Sequence, residues 1–404
     1  MNASVRLDHS LLSLDGEHDV HAMLELSVPA PAEADARPPL RLALVLDRSG
    51  SMTGEKLEVA KRCAAWLVSR LRADDELALV AYDDSVRLLA PLAPVRESEL
   101  RAAIAGIAPG GSTNLSGGWL RGLEQLHGGR GKILLLTDGL ANVGVTDPSR
   151  LVALARGAAQ DGVGTATIGY GSDFDEELLA AMADAGGGNA HWAATPDAAP
   201  GIFAAELDGL TRVVAQNVSV EIRPAAAVEL VGVLNEYPSV PVAGGVQLEL
   251  GDGYGGERRR VVFALHVPHL AALGPAKVAD VVVRYVSVGD EIAHHELTVP
   301  VVANVVSAEE AAACEPDAEV REEVLVLAAA RARDEAIKLA DSGDYDAARA
   351  RLAATTKQLR AVGEPVLVAE ATALADALPL LASFDAADRK RLFYESNQRK
   401  RRRS

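Results

Sequence analysis

The sequence has little cysteine, few aromatic residues and no long apolar run. Its 404 residues include two cysteines, Cys63 and Cys314, which lie 251 positions apart. This spacing excludes zinc fingers, iron–sulfur clusters and disulfide scaffolds, and it favours a reducing compartment. No run of about 18 apolar residues is present, which excludes a transmembrane helix. The N-terminal residues carry charges every few positions, so we expect no signal peptide and a cytoplasmic location.

Positive charge is also scarce, except at the end of the chain. The sequence has 57 acidic and 40 basic residues and a net charge of −17. The basic tail, residues 389–404, holds eight basic residues and one acidic residue, so the rest of the chain carries −24. A surface of that charge repels nucleic acid. We interpret the tail as a solvated terminus or one drawn to the acidic body of a neighbour. Its attachment to nucleic acid or a membrane surface stays open as an alternative.

The middle of the chain alternates between apolar strands and amphipathic helices. Hydrophobic residues make up 49% of the sequence, which is enough to form sizeable cores in two or three domains at this length. Buried strands are predicted at 40–46, 76–82, 132–137 and 164–170. Helices are predicted at 55–71, 97–107, 115–126, 149–161 and 175–185. The alternation predicts an α/β domain over residues 39–212, with a doubly wound, mostly parallel sheet and helices on both faces.

Two other kinds of structure flank this domain. Residues 213–306 contain short strands separated by Gly, Pro and Asp turns, which predicts an antiparallel β-sandwich. Two strands in residues 1–38 could not bury their apolar face alone, so we expect them to join the sandwich. The α/β domain would then be an insertion. Residues 307–388 are predicted to form a helical region, followed by the basic tail.

A short polar motif follows the first apolar run of the α/β domain. Asp47, Ser49 and Ser51 stand at the carboxyl end of a predicted parallel strand, where doubly wound sheets place their ligand sites. Gly50 lets the backbone turn between the two serines. One carboxylate and two hydroxyls in a tight loop can converge, and such hard oxygen donors suit Mg²⁺ or Mn²⁺ rather than zinc. Alone, the motif could also be an ordinary helix-capping turn.

Two further polar residues lie at the same edge of the predicted sheet. Thr113 precedes the helix at 115–126, and Asp138 follows the strand at 132–137. Each alone would be interpreted as a helix cap or a turn residue, but together with the serine motif they predict one site. The other acidic residues nearby are interpreted as turn and cap residues: Asp83, Asp84, Asp173 and Asp175.

The set of Asp-x-Ser-x-Ser, Thr and Asp, in this order and on these elements, resembles the von Willebrand factor type A (VWA) family. The resemblance covers about residues 39–212, and residues 169–193 resemble the end of that domain in bacterial members. Five residues match the positions of the family's metal-ion-dependent adhesion site: Asp47, Ser49, Ser51, Thr113 and Asp138.

This resemblance implies a function. In the family, the three hydroxyls bind Mg²⁺ (or Mn²⁺ or Ca²⁺) directly, while the two aspartates often act through water. One open coordination position is filled by an Asp or Glu of another protein. The resemblance therefore implies a metal-dependent adaptor or scaffold of the bacterial intracellular type, and not an enzyme. Some relatives of this type work beside AAA+ ATPases of the MoxR type.

A metal-dependent phosphohydrolase is the alternative from a different class. A metal at strand ends could support phosphoryl transfer, with Asp47 as nucleophile. The haloacid-dehalogenase pattern, however, needs a second carboxylate two residues later, where this sequence has Ser49. The nine histidines form no Ser–His–Asp pattern, and no GxxxxGK[ST] loop is present.

Overall fold

The computed structural model describes residues 1–30, 38–287, 293–382 and 384–401, which form sixteen strands and eleven α-helices. The strands are β1 (Asn2–Leu7), β2 (Leu11–Ser13), β3 (His18–Ser27), β4 (Arg41–Asp47), β5 (Glu76–Tyr82), β6 (Val86–Pro94), β7 (Gly131–Thr137), β8 (Val163–Tyr170), β9 (Gly187–Ala193), β10 (Val213–Pro224), β11 (Glu229–Val233), β12 (Ser239–Val242), β13 (Gly245–Tyr254), β14 (Arg258–Val267), β15 (Gly274–Ser287) and β16 (Ala293–Val306). The helices are α1 (Glu55–Arg70), α2 (Glu97–Ala105), α3 (Leu115–Leu126), α4 (Pro148–Gln160), α5 (Glu176–Ala185), α6 (Ala199–Thr211), α7 (Ala308–Ala312), α8 (Ala318–Asp341), α9 (Tyr345–Val362), α10 (Pro365–Ala377) and α11 (Ala386–Arg401).

The central sheet of the α/β domain is doubly wound, as the sequence predicts. Its strand order is β6-β5-β4-β7-β8-β9, and every neighbouring pair is parallel except β5 with the edge strand β6. Helices α1, α2 and α6 cover one face of the sheet, and α3, α4 and α5 cover the other. The strand order reverses at β4, so the carboxyl ends of β4 and β7 lie at the switch point where such sheets bind ligands.

Side-chain caps fix where three of these helices begin. Asn114 caps α3, Asp147 caps α4 and Asp175 caps α5, each accepting a hydrogen bond from a backbone N–H of the first turn. Asp175 is therefore a cap residue, as expected. The cap of α3 is Asn114 and not Thr113, which leaves the Thr113 side chain out of the capping role.

A β-sandwich lies beside the α/β domain. One sheet has the order β1-β3-β14-β11, and the other has the order β12-β13-β10-β15-β16-β2. All of their pairs are antiparallel except β16 with β2. The N-terminal strand β3 pairs with β14 along ten residues of each strand, so the sandwich is built from chain on both sides of the α/β domain. Its core consists of the inward-facing residues of both sheets, mostly Val and Leu.

The C-terminal part of the chain is helical. Helices α8, α9 and α10 bury one shared apolar cluster, to which Leu392 of α11 also contributes. Gly343 and Gly363, both with positive φ, make the turns between α8 and α9 and between α9 and α10. Val320 and Leu327 of α8 pack on the sandwich. Among the described residues, every helix is too short or too polar to span a bilayer.

The basic tail differs from the prediction. The boundary drawn at 388/389 falls inside α11, which extends to Arg401. Lys390 pairs with Glu176, Lys400 with Asp334, and Arg401 with Asp184. The interpretation of the tail as a solvated terminus is therefore wrong up to residue 401, because acidic residues of the same chain surround it. Residues 402–404 lie outside the described residues.

Candidate metal centre

The candidate centre lies at the carboxyl ends of two adjacent strands. Asp47 ends β4, and Asp138 directly follows β7. Both carboxylates are fully buried, and Ser49 is 1% exposed. Ser51 is exposed to solvent. Because β4 and β7 pair in parallel up to Leu46 and Leu136, their carboxyl ends lie at the same edge of the sheet. Ser51 is the part of this edge that contacts solvent.

Asp47 is held by two hydrogen bonds. Its Oδ1 accepts from the backbone N–H of Ser49 at 2.8 Å, which closes the tight loop after β4. Its Oδ2 accepts from the hydroxyl of Thr137 at 2.6 Å. Burial raises the pKa of Asp47, these hydrogen bonds lower it, the charge of Asp138 raises it again, and the net shift is upward. A cation at this edge would relieve the two carboxylates of that repulsion.

The two serines and Asp138 form a continuous chain of hydrogen bonds. The hydroxyls of Ser49 and Ser51 are 3.1 Å apart, and Ser51 Oγ donates to Asp138 Oδ1 at 2.6 Å. The other oxygen of Asp138 accepts from Lys56 Nζ at 2.6 Å. The structure thus brings three of the five predicted residues into direct contact. Asp47 is linked to them by its hydrogen bonds with the Ser49 backbone and with Thr137, the residue before Asp138.

Thr113 reaches the same edge from the loop before α3. Its backbone N–H donates to Asn142 Oδ1 at 2.8 Å, and its carbonyl accepts from the N–H groups of Asn142 and Val143. A Cβ added at Gly139 would lie 3.1 Å from Thr113 Oγ1 and 3.5 Å from Ser51 Oγ. The two hydroxyls therefore approach the same backbone position, and a side chain there would crowd both.

A buried ion pair fixes the loop that carries Thr113. Arg48 donates to Asp83 Oδ2 at 2.7 Å and to the carbonyl of Ala108 at 3.0 Å. The Asp83 carboxylate also accepts from the backbone N–H of Gly111 and from Ser85. Burial raises the pKa of Asp83, but the hydrogen bonds from Ser85 and Gly111 and the Arg48 guanidinium lower it to about 2. Asp83 is thus a turn residue, as expected, with an added role between two loops.

The donor set fits a hard divalent cation. Three hydroxyl oxygens and two carboxylates are the kinds of ligand that Mg²⁺ and Mn²⁺ prefer, and softer nitrogen and sulfur ligands do not occur among them. Among the described residues, no group of three or more His, Cys, Asp or Glu side chains is placed to hold a metal. A metal at the candidate centre would therefore depend on the hydroxyls of Ser49, Ser51 and Thr113.

Several residues of this edge were missed by sequence reasoning. Lys56 contacts Asp138, Thr137 contacts Asp47, and Asn142 holds the backbone of Thr113. Thr137 directly precedes Asp138, so its position next to a candidate ligand was a usable signal. Lys56 and Asn142 gave no such signal, because each lies far in sequence from the residue that it contacts. Lys56 is 82 positions from Asp138, and Asn142 is 29 positions from Thr113.

The α/β domain matches a known family model. Residues 42–204 match the von Willebrand factor type A domain. Uncharacterized protein YfbK of Escherichia coli (strain K12) is 31% identical over 207 residues, which cover 49% of this chain and 36% of YfbK. Uncharacterized protein sll0103 of Synechocystis sp. is 29% identical over 301 residues, which cover 70% of this chain and 71% of that protein. The chain thus spans well under half of YfbK.

A solved structure resembles the chain over almost its whole length. The von Willebrand factor type A structure from Catenulispora acidiphila has a TM-score of 0.76 at 18% identity, and the match covers 98% of this chain and 96% of that one. At this identity the likeness shows the fold alone. It extends through the sandwich and the C-terminal helices as well as the α/β domain.

Proposed function

Because residues 42–204 form a von Willebrand factor type A domain, we propose that the chain is a divalent-metal-dependent protein–protein interaction module. In this proposal Asp47, Ser49, Ser51, Thr113 and Asp138 hold the metal, and the Asp or Glu side chain of a partner completes its coordination. The observation that carries the proposal is the hydrogen-bonded chain from Ser49 through the exposed Ser51 to the buried Asp138.

The chain's own residues position the ligands. Thr137 and the Ser49 backbone orient the two oxygens of Asp47, and Asn142 holds the loop of Thr113. A bound divalent cation would supply the positive charge that attracts a carboxylate. Mg²⁺ requires near-octahedral oxygen ligands at about 2.0–2.1 Å, so the loss of one or two hydroxyls should weaken its binding sharply.

The first test removes two hydroxyls. Calorimetric titration with Mg²⁺ should show saturable binding to the wild type and a loss of at least about tenfold in affinity for Ser49→Ala/Ser51→Ala. The matched control is Ser69→Ala/Ser342→Ala, whose hydroxyls donate to nearby backbone carbonyls away from the candidate centre. The control should bind Mg²⁺ like the wild type. Undiminished affinity of the Ser49/Ser51 variant would overturn the proposed metal site.

The second test addresses the partner. Immobilised wild-type chain is incubated with lysate in Mg²⁺, and bound proteins are eluted with EDTA and identified. We expect some proteins to bind the wild type in Mg²⁺ and to be released by EDTA. The Ser49→Ala/Ser51→Ala variant should not retain these proteins. We propose a bacterial cytoplasmic setting and an adaptor or scaffold role, so a MoxR-type AAA+ ATPase is one expected partner. Identical proteins on wild type and variant would contradict the proposal.

The proposal also holds that the chain is not an enzyme. The phosphohydrolase alternative would use Asp47 as nucleophile, but Ser49 stands where the haloacid-dehalogenase pattern has its second carboxylate. A generic phosphatase assay with Mg²⁺ or Mn²⁺ should give the same rate for wild type and Asp47→Asn. A metal-dependent rate that Asp47→Asn abolishes would favour the alternative.

A further inference from the structure

Lys56 places a positive charge next to Asp138 of the candidate centre. It is the second residue of α1, and its side chain is 29% exposed while the Asp138 side chain is fully buried. Its Nζ lies 2.6 Å from Asp138 Oδ2. A Cβ at Gly171, at the end of β8, would be 3.5 Å from the same ammonium. Lys56 therefore reaches from α1 across the edge of the sheet to the side of Asp138 away from Ser51.

The two oxygens of Asp138 have different partners. Oδ1 accepts from Ser51, one of the proposed metal-binding hydroxyls, whereas Oδ2 accepts from Lys56. The carboxylate thus joins the hydroxyl chain to a fixed cation. A buried carboxylate without a counter-charge is costly, so the ammonium supplies the neutralisation that Asp138 needs when no metal is bound.

A charge count follows from these contacts. Asp47 and Asp138 carry two negative charges and Lys56 carries one positive charge, while the nearby Arg48 and Asp83 neutralise each other. The centre therefore has a net charge of −1 without metal and +1 with a divalent cation. With the positive sign, the loaded centre would favour an incoming carboxylate.

We propose that Lys56 is a built-in counter-ion that weakens divalent-cation binding, so that the centre exchanges metal instead of holding it permanently. This inference rests on the proposed metal site. Its chemical basis is repulsion between the ammonium and the divalent cation, and competition between them for Asp138. Lys56 acts as a positioning and charge-setting residue and is not proposed as a metal ligand.

The test compares the side chain with and without its charge. Mn²⁺ alone is titrated into wild type, Lys56→Met and Lys56→Arg, and free Mn²⁺ is followed by electron paramagnetic resonance. Lys56→Met, which keeps an unbranched side chain but removes the ammonium, should bind Mn²⁺ at least about tenfold more tightly than the wild type. Lys56→Arg keeps the charge and should stay within about threefold of the wild type.

A second readout does not depend on measuring metal affinity. In EDTA, Lys56→Met should have a lower urea midpoint than the wild type, because Asp138 loses its counter-ion. Saturating Mn²⁺ should raise the midpoint of Lys56→Met more than that of the wild type, since tighter binding to the folded state stabilises it more. Lys56→Arg should follow the wild type in both conditions.

The outcomes separate the two proposals. No Mn²⁺ binding by any of the three proteins would overturn the proposed metal site and the inference with it. Mn²⁺ binding with equal affinity in wild type and Lys56→Met, and equal urea midpoints in EDTA, would overturn the role of Lys56 and leave the metal site standing.

Discussion

Strand β7 carries a buried charge near each of its ends, and the two charges have different surroundings. Lys132, near the start of the strand, is 4% exposed. Its Nζ lies 3.3 Å from Tyr254 Oη and 3.6 Å from Asp252 Oδ2, both on β13 of the sandwich. Asp138, just past the other end, bonds to Ser51, which is exposed, and to Lys56, which is partly exposed. The first charge is enclosed between the α/β domain and the sandwich, whereas the second, although itself buried, is bonded to side chains that solvent reaches.

The two ends of the strand therefore have different partners. At the enclosed end, the charge of Glu206 also acts on Lys132, and burial lowers the pKa of Lys132 while Tyr254, Asp252 and Glu206 raise it above its usual range. These contacts join the α/β domain to the sandwich. At the open end, the hydroxyl of the exposed Ser51 connects the buried Asp138 to the surface. The buried charge at one edge of the sheet thus joins two domains, and in our proposal the buried charge at the other edge helps to hold a metal.

The largest expected effect comes from removing the enclosed charge. Lys132→Met should lower the free energy of unfolding by about 3–5 kcal/mol, because the buried Glu206 and the partly buried Asp252 lose their cation. The comparison also predicts unchanged Mg²⁺ affinity. Urea denaturation and calorimetry check the two parts. The matched control is Arg121→Met, which breaks an exposed pair with Glu124 and should cost less than about 1 kcal/mol. A cost for Lys132→Met as small as that of the control would contradict the account.

The pH dependence of stability tests the same enclosed cluster. Burial raises the pKa of Glu206, but the hydrogen bond from His191 and the charge of Lys132 lower it from 4.5 to about 2. The folded state therefore prefers the ionised form, and this stabilisation is complete above pH 4.5 and lost as pH falls toward 2. The shift corresponds to about 3 kcal/mol.

Glu206→Gln should accordingly lose less stability than the wild type across that acidic interval. Denaturation curves measured at several pH values give the comparison. Glu99→Gln, at an exposed pair with Arg96, serves as the control and should follow the wild type. Parallel curves for wild type and Glu206→Gln would show that Glu206 does not titrate with a lowered pKa.

A third variant sharpens the account of the open edge. A Cβ at Gly110 would lie 1.8 Å from Asp83 Oδ2, so Gly110→Ala must displace the carboxylate that holds the loop before α3. We expect a loss of about 1–3 kcal/mol in stability and weaker Mg²⁺ binding, because the loop carries Thr113.

Gly157→Ala is the matched control for that variant. Gly157 lies within α4 and has open space at its Cβ position, so alanine there should stabilise the helix by about 0.5–1 kcal/mol. Calorimetry should show unchanged Mg²⁺ affinity. Equal Mg²⁺ affinity in both glycine variants would show that the loop of Thr113 does not contribute to metal binding.

The smallest effect is expected in the basic tail. Arg391 and Arg399 pair with Glu395 and Glu370, which Arg333 also contacts, so acidic residues of the same chain already face both tail arginines. At low and at moderate salt, Arg391→Gln/Arg399→Gln should retain DNA within about twofold of the wild type. The control is Arg101→Gln/Arg121→Gln, outside the tail. A selective loss of retention in the tail variant would revive nucleic-acid attachment.

Much of the α/β domain is predictable because its strands are continuous apolar runs. The strand 76–82 was predicted with the bounds of β5, and β4 and β7 differ from their predictions by single residues at their ends. Strand β6 was missed, since Pro91 and Pro94 lie in it and prolines are tolerated at an edge strand. Strand β9 begins with two glycines and shows no apolar alternation.

The tail and the contacts between loops could not be predicted from local patterns. Helix α11 is rich in basic residues, and its buried partners lie far away in sequence, as Lys390 and Glu176 do. Four of the five candidate residues follow the ends of predicted strands and Thr113 precedes a predicted helix, so their convergence at one edge was predictable in outline. The contact between Lys56 and Asp138 depends on how α1 packs against the sheet, which no spacing in the sequence encodes.

The central claim is that hydroxyls and carboxylates from separate loops surround one divalent cation. Anomalous X-ray diffraction from crystals of the full chain soaked in Mn²⁺ tests it most directly. The account predicts one strong peak within about 2.0–2.4 Å of the hydroxyl oxygens of Ser49, Ser51 and Thr113. A fully occupied Mn²⁺ elsewhere, with no peak between Asp47 and Asp138, would contradict it.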